Sequence, residues 1–143
     1  MTTSENGIAF LKSHEGFSAH VYDDNGAQAI AYGHRLLPGE SFPDGVTLSE
    51  GDALLRKDLP TRFERMVNPR IPADCTQGQF DALISFVYNV RNQPQSLEQL
   101  LAHGWDQVPV QLPRWCHVEK NGVMVESAGL KARRQAEVVL WQS

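Results

Sequence analysis

Two carboxylates near the front of the chain have the types and spacing for acid–base chemistry. Glu15 closes the run Phe10-Leu11-Lys12-Ser13-His14-Glu15-Gly16-Phe17, and Tyr22-Asp23-Asp24-Asn25-Gly26 follows it. Ile8 and Leu11 stand at helical spacing and Gly16 is a natural C-cap, so Glu15 falls in the last turn of a first helix. The partial negative charge at a helix C-terminus favours the protonated form of a carboxyl, the form a general acid must hold. The chain then doubles back and brings Asp23 or Asp24 opposite the helix end. Two carboxylates in unlike surroundings across one cleft can divide acid and base roles. Among 17 acidic residues such a pair is commonplace, and two solvated surface carboxylates remain the plainer alternative.

The elements that must position this pair are mostly helical. Thr47 with Glu50, and Thr76 with Gln79, make capping boxes at the starts of two helices. The second leads into Phe80-Asp81-Ala82-Leu83-Ile84-Ser85-Phe86-Val87-Tyr88, apolar almost all round and therefore a central core helix. Further helical patterns run over 96–102 and 130–141. The only strand-like stretches are 19–22 and 27–32, joined by an Asp-Asn-Gly turn. The fold class is mainly α with a small β-sheet.

Composition narrows the rest. The 143 residues suit one domain or two small lobes sharing a core. Thirteen basic against 17 acidic residues give a net charge of -4 and no nucleic-acid footprint. Cys75 and Cys116 form neither a metal pattern nor a disulfide framework, so no metal is expected and both read as buried thiols. The N-terminus lacks the basic start and apolar run of a secretory signal, and no window is long and apolar enough for a membrane span. The expectation is a cytoplasmic protein until some other route releases it, without stable membrane insertion.

The wider pattern resembles the phage-type lysozymes of glycoside hydrolase family 24. Glu15-Gly16-Phe17, Asp24 after eight intervening residues, and Ala29-Ile30-Ala31-Tyr32-Gly33-His34 match the family's front. The likeness continues through 48–59, 79–90, Leu112-Pro113-Arg114-Trp115 and 129–137, in the family's order. It implies a single catalytic domain over 1–143. A small β-containing lobe of about 15–58 and a helical lobe of 1–14 plus 70–143 would be joined by a long helix, with the cleft between them. It further implies an inverting hydrolase of the β-1,4 bond between N-acetylmuramic acid and N-acetylglucosamine in the peptidoglycan glycan strand, acting as a monomer without metal or organic cofactor. By this likeness Glu15 is the general acid and Asp24 orients or activates water, while Asp23 falls one position short and reads as a turn residue. Asn89 and Trp115 match positions that face sugar, though Trp115 serves equally as a plug between helices. His34 matches a structural histidine paired with the position of Asp58. Gapless alignment puts Lys131 at the place of a cation near the catalytic Glu, leaving Arg133 and Arg134 to cover the helical lobe.

Two departures stand out. Ala29 occupies the place of the family's Thr, whose hydroxyl helps hold the attacking water. Gln28 is the nearest replacement in sequence, although strand alternation points it to the opposite face. After Asn89-Val90 the family's glycine and aromatic residue give way to Arg91-Asn92-Gln93-Pro94, which puts a basic residue near the cleft edge. The change at Ala29 keeps two other readings open: a catalytically weakened peptidoglycan-binding homologue, and a lytic transglycosylase, which needs one acid and no positioned water. Chitin remains an alternative polymer.

Overall fold

The computed structural model describes all 143 residues, Met1 to Ser143. Helix α1 spans Glu5–Glu15. The Ser4 hydroxyl caps its start by accepting the Gly7 N–H, and Gly16, at φ 68°, ends it by donating its N–H to Lys12 O. Three antiparallel strands follow in the order β1 (Ser18–Asp24), β2 (Ala27–Ala31) and β3 (His34–Arg35). Asn25 and Gly26, at φ 52° and 89°, form the two-residue turn between Asp24 and Ala27. Positive φ at both positions is what Asn-Gly supplies, and its twist matches that of the strands. Tyr22 pairs with Ala29, and Ala29 with Arg35, so these three form one row across one face of the sheet.

Helix α2 (Leu48–Asp58) begins at the Thr47–Glu50 capping box and lies on this sheet. The contact is close: a methyl on Gly51 would sit 3.0 Å from Ala31 Cβ of β2. The long connecting helix implied by the family likeness is present, helical without a break from Leu48 to Arg70 but of mixed type beyond α2. The chain continues as a π-helical stretch over Leu59–Glu64, a short α3 (Arg65–Val67) and a 3₁₀ turn at Asn68–Arg70. Pro60 accounts for the change, because it lacks the N–H for the α-helical ladder and its ring crowds the preceding turn.

The core is built on α4 (Gln77–Asn89), capped by Thr76 and Gln79. All nine residues from Phe80 to Tyr88 are buried. Around α4 pack α1, α5 (Ser96–Leu101), α6 (Val108–Gln111) and, along its length, α7 (Ala128–Trp141). Each large apolar side chain withdrawn there contributes about 1.5–3 kcal/mol. Trp105 and Trp141 pack with ring centroids 4.7 Å apart. The contact between α4 and α7 is polar at its centre: Arg134 and Glu137 are fully buried, and Glu137 Oε1 accepts from Ser85 Oγ at 2.7 Å and Arg134 Nη2 at 2.9 Å.

A second hairpin corrects the expectation of a single strand region. β4 (His117–Lys120) pairs antiparallel with β5 (Val123–Glu126) across Asn121-Gly122. Its signal was the same Asn-Gly turn as in the first hairpin. The architecture is α+β, and no helix is long and apolar enough to cross a membrane.

Candidate active site

Glu15 ends α1 with its side chain 17% exposed. Arg133 of α7 donates from Nη1 to Glu15 Oε1 at 2.7 Å, fixing one edge of the carboxyl. The guanidinium is itself anchored, since Nη2 donates to Ser85 O at 3.2 Å. The other oxygen, Oε2, faces the turn after β2, where a methyl on Gly33 would come within 3.5 Å of it. Gly33 has φ 83°, so any other residue there would be strained as well as crowded. Glu15 lines a hollow of about 280 Å³ with Phe17, Ser18, Tyr22 and Ala31.

The cation beside Glu15 is therefore Arg133, and the assignment of that place to Lys131 is corrected. Lys131 is exposed, whereas Arg133 and Arg134 are buried together with Glu137, Leu140 and Trp141. Positions 130, 133, 134, 137, 140 and 141 make one helical stripe. Lys131 lies on the opposite side. Leu130, Leu140 and Trp141 mark the phase of that stripe in the sequence, but it holds Arg133 and Arg134 alike, and only the packing of α7 selects Arg133 for Glu15.

Asp24 is the last residue of β1, on the same face as Tyr22 two residues earlier. Its Oδ2 lies 3.4 Å from Arg35 Nη2 and 4.0 Å from Arg91 Nη2. Arg91 Nη2 also donates to Gly33 O at 2.6 Å, and its guanidinium lies 4.7 Å from the centre of the Tyr88 ring. Arg35 Nη1 donates to Asn92 Oδ1. The segment that departs from the family pattern thus reaches across to the sheet at Asp24, Gly33 and Arg35. Sequence reasoning placed a basic residue at the cleft edge without naming these partners. Asp23, expected as a turn residue, is instead in β1 opposite Gln28, and its carboxylate accepts the Gly26 N–H of the turn at 3.4 Å.

Ala29 is fully buried between Tyr22 and Arg35. Gln28 points away from it, into a separate hollow with His20, Val21 and Leu36, and is not brought to Glu15. Tyr22 lies among the charged groups. Burial, and after it the negative charges of Asp24 and Glu15, push its phenol above the ordinary range, so it stays a neutral O–H. Ala31, at φ 59°, holds a left-handed conformation unusual for a residue with a side chain, at the floor of the Glu15 hollow.

His34 is buried behind the sheet with Nδ1 2.5 Å from Asp58 Oδ2 and Nε2 2.9 Å from Glu40 Oε1. The Asp58 hydrogen bond, opposed by burial and aided by Glu40, raises the imidazole above its usual value. Both ring nitrogens face carboxylates, which fits the doubly protonated ring. His34 is committed to these two partners.

Asn89 and Trp115 lie on the α4–α7 side. Asn89 Oδ1 accepts from Arg134 Nη2 at 2.7 Å. Trp115 packs its ring edge-on to Phe86, with centroids 5.2 Å apart, and borders a hollow of about 470 Å³ with Val90, Gln93, Met124 and Leu130. This hollow is larger and more apolar than the one at Glu15, yet neither Glu15 nor Asp24 lines it. Its indole and apolar lining suit a flat ring face, while of the two carboxylates Glu15 lines the smaller hollow and Asp24 lines neither. Cys75 and Cys116 are unpaired thiols. Cys116, His117 and Glu126 bring donor atoms within 4.8 Å of one another on the second hairpin, the one grouping in the chain with donors a metal ion could share.

Comparison with known proteins gives one family. The phage lysozyme family model matches residues 12–137. An endolysin of Acyrthosiphon pisum secondary endosymbiont phage 1 is 28% identical over the whole chain and 99% of its own length. Among solved structures, the muramidase domain of SpmX from Asticaccaulis excentricus superposes with a TM-score of 0.83 at 31% identity, covering 99% of this chain and 97% of that one. The endolysin from Escherichia coli O157:H7 phage FAHEc1 gives 0.81 at 28% identity, covering 99% and 93%.

Proposed function

The chain belongs to the phage lysozyme family and is a peptidoglycan hydrolase of the muramidase type, and from that premise we propose that Glu15 is its general acid and Asp24 its water-activating base. The observation that carries this reading is the pinning of Glu15: Arg133 holds Oε1 at 2.7 Å, while Oε2 faces the turn at Gly33. In the proposed reaction Glu15 gives its proton to the glycosidic oxygen as the bond to the sugar C1 breaks. Asp24 takes a proton from water as the water oxygen bonds to that carbon from the opposite side. A single displacement of this kind inverts the configuration at C1 and needs room for water between the carboxylates. One proton then returns from Asp24 to Glu15 through solvent.

The substrate in this reading is the glycan strand of peptidoglycan, laid along the junction of the sheet and the helical side. The Trp115 ring offers an apolar face for a pyranose, and Asn89 a polar contact. Gln28, turned into another hollow, has no part in it.

The test is product analysis on purified peptidoglycan. Wild type is expected to release reducing muramic acid ends, and Glu15→Gln to release none while keeping the wild-type circular dichroism and melting curve. Full activity in Glu15→Gln overturns the acid. Release of 1,6-anhydro ends would identify a transglycosylase, and binding without solubilisation a wall-binding protein.

A further inference from the structure

Between Asp24 and the helical side lies a pair of guanidinium groups that the acid–base reading leaves without a role. Arg35 stands at the end of the sheet, and Arg91 lies two residues beyond α4 in the segment that departs from the family pattern. Each contacts Asp24 and each is tied down elsewhere. Arg35 Nη2 is 3.4 Å from Asp24 Oδ2 and its Nη1 donates to Asn92 Oδ1. Arg91 Nη2 is 4.0 Å from the same oxygen, donates to Gly33 O at 2.6 Å and lies over Tyr88.

Exposed ion pairs contribute little and are laxly placed. This pair differs in two respects. The Arg91 side chain is only 14% exposed and that of Arg35 24%, so water screens them incompletely. Further, Arg35 Nε and Arg91 Nη1 are buried with no acceptor in the protein. A fold gains nothing for its own stability by burying such donors, and groups of this kind concentrate where a site needs them.

The row Tyr22–Ala29–Arg35 explains how Arg35 reaches Asp24. Ala29 is its direct neighbour on β2 and is fully buried, and its small methyl leaves the long Arg35 side chain room to cross toward β1. On the other flank Arg91 and Glu15 close on one point. A methyl on Gly33 would meet Arg91 Nη2 at 3.2 Å and Glu15 Oε2 at 3.5 Å. The Arg91 guanidinium, paired with Asp24, therefore borders the same turn at Gly33 as Glu15 Oε2.

We propose that Arg35 and Arg91 are positioning residues for the hydrolysis, jointly fixing the Asp24 carboxylate in register with Glu15 across the buried methyl of Ala29. The inference rests on the assignment of Asp24 as the water-activating group. Asp24 ends β1 beside the two-residue turn, and the side-chain ion pairs that hold its carboxylate are those to Arg35 and Arg91. Two anchored guanidinium groups supply the rigidity that activation of a water requires, since small errors of placement are costly in rate.

The experiment is a double-mutant cycle read as kcat and KM on soluble peptidoglycan fragments, with melting curves for every variant. Arg35→Ala and Arg91→Ala are each expected to lower kcat by about 10-fold or more while KM changes by less than about 3-fold. Adding guanidinium chloride at millimolar level should restore part of the lost rate, which a merely structural loss would not show. In an Asp24→Asn background neither arginine change should lower kcat further, because both act through Asp24. Arg91→Lys keeps the charge and loses the fork, and keeps the cycle readable where an Ala variant fails to fold. Wild-type kcat in both Ala variants beside an inactive Asp24→Asn overturns this inference alone, as do losses that add to that of Asp24→Asn. Full activity in Asp24→Asn overturns the role of Asp24 and this inference with it.

Discussion

Arg133 and Glu15 stand 118 positions apart in sequence and meet at 2.7 Å, Nη1 on Oε1, where the end of α1 abuts α7. The contact ties the orientation of Glu15 to the α4–α7 pairing, because the same guanidinium donates to the Ser85 carbonyl on α4. The site is therefore set by helix packing as much as by α1 itself.

Replacing Arg133 by Met should lower wall-lysis activity by roughly 10- to 100-fold, since the carboxyl loses its fixed edge. It should also cost about 2–4 kcal/mol of stability, because Glu137, with Oε1 3.5 Å from Arg133 Nε, loses part of its buried counter-charge. Lys131→Met, one turn-phase away and exposed, should keep both within about twofold and 0.5 kcal/mol. Turbidity assays and urea denaturation check the pair. Equal effects of the two changes would return the cation's role to Lys131.

Ala29→Thr separates two accounts of the missing hydroxyl. If the hydroxyl were the only deficit, this variant would be faster than wild type. The side chain at 29 is wholly buried in the row with Tyr22 and Arg35, so two added heavy atoms have no free space there. The expected outcome is a loss of about 1–3 kcal/mol from overpacking and no gain in rate. A clear rise in lysis by Ala29→Thr would show that the hydroxyl was limiting.

Local signals made much of this legible before any contact was known. Gly16 after Glu15, Asn25-Gly26 between two strands, and the paired caps at Thr47 and Thr76 are each read within a few residues. They place the ends of α1, the first hairpin, α2 and α4. The partners of Glu15 and Asp24 were less legible because they are fixed by packing between distant segments. Arg133 lies on the buried stripe of α7, but that stripe carries Arg133, Arg134 and Glu137, and charged residues do not mark a buried face by hydropathy. Arg35 and Arg91 meet only because β3 and the end of α4 converge at Asp24. Pro60 was visible in sequence, yet its conversion of a helix into a π-helical stretch depends on the neighbours that keep the chain helical.

The His34 pair makes stability depend on pH in a definite direction. Its imidazole is raised above 6.5 in the fold, chiefly by the Asp58 hydrogen bond. The stabilisation is thus complete below the unfolded value, near 6.5, and is lost as pH rises through the raised folded value. Glu40 limits the acid side. Although burial opposes it, the Leu37 N–H and His34 hold its carboxyl below the ordinary value, so its share is lost as pH falls through that lowered value. The cluster should therefore contribute most in the mildly acidic range between those limits. NMR titration of His34 should give a value above 6.5 in wild type, falling in Asp58→Asn. An unshifted His34 in wild type would dismiss the charged pair.

Gly7→Ala is expected to destabilise the protein even though alanine is the better helix former. Propensity alone favours the change by about 0.8–1 kcal/mol. Gly7, however, lies against the buried Asp81 of α4: an added Cβ would sit 2.6 Å from Asp81 Cγ and 2.8 Å and 2.9 Å from its two oxygens. That carboxylate accepts the Ser4 N–H at 3.1 Å, the Ser4 hydroxyl, and Gln77 Nε2 at 2.9 Å. Hydrogen bonds to a charged group are worth about 1.5–3 kcal/mol each, so loosening even one of them outweighs the propensity gain. The net effect should be a loss of about 1–2 kcal/mol, or roughly 3–8 °C in Tm for a chain of this size. In an Asp81→Ala background, with the obstructing carboxylate removed, Gly7→Ala should instead raise Tm. If Gly7→Ala stabilises the otherwise unchanged protein, the approach of α1 to α4 is looser than these distances require.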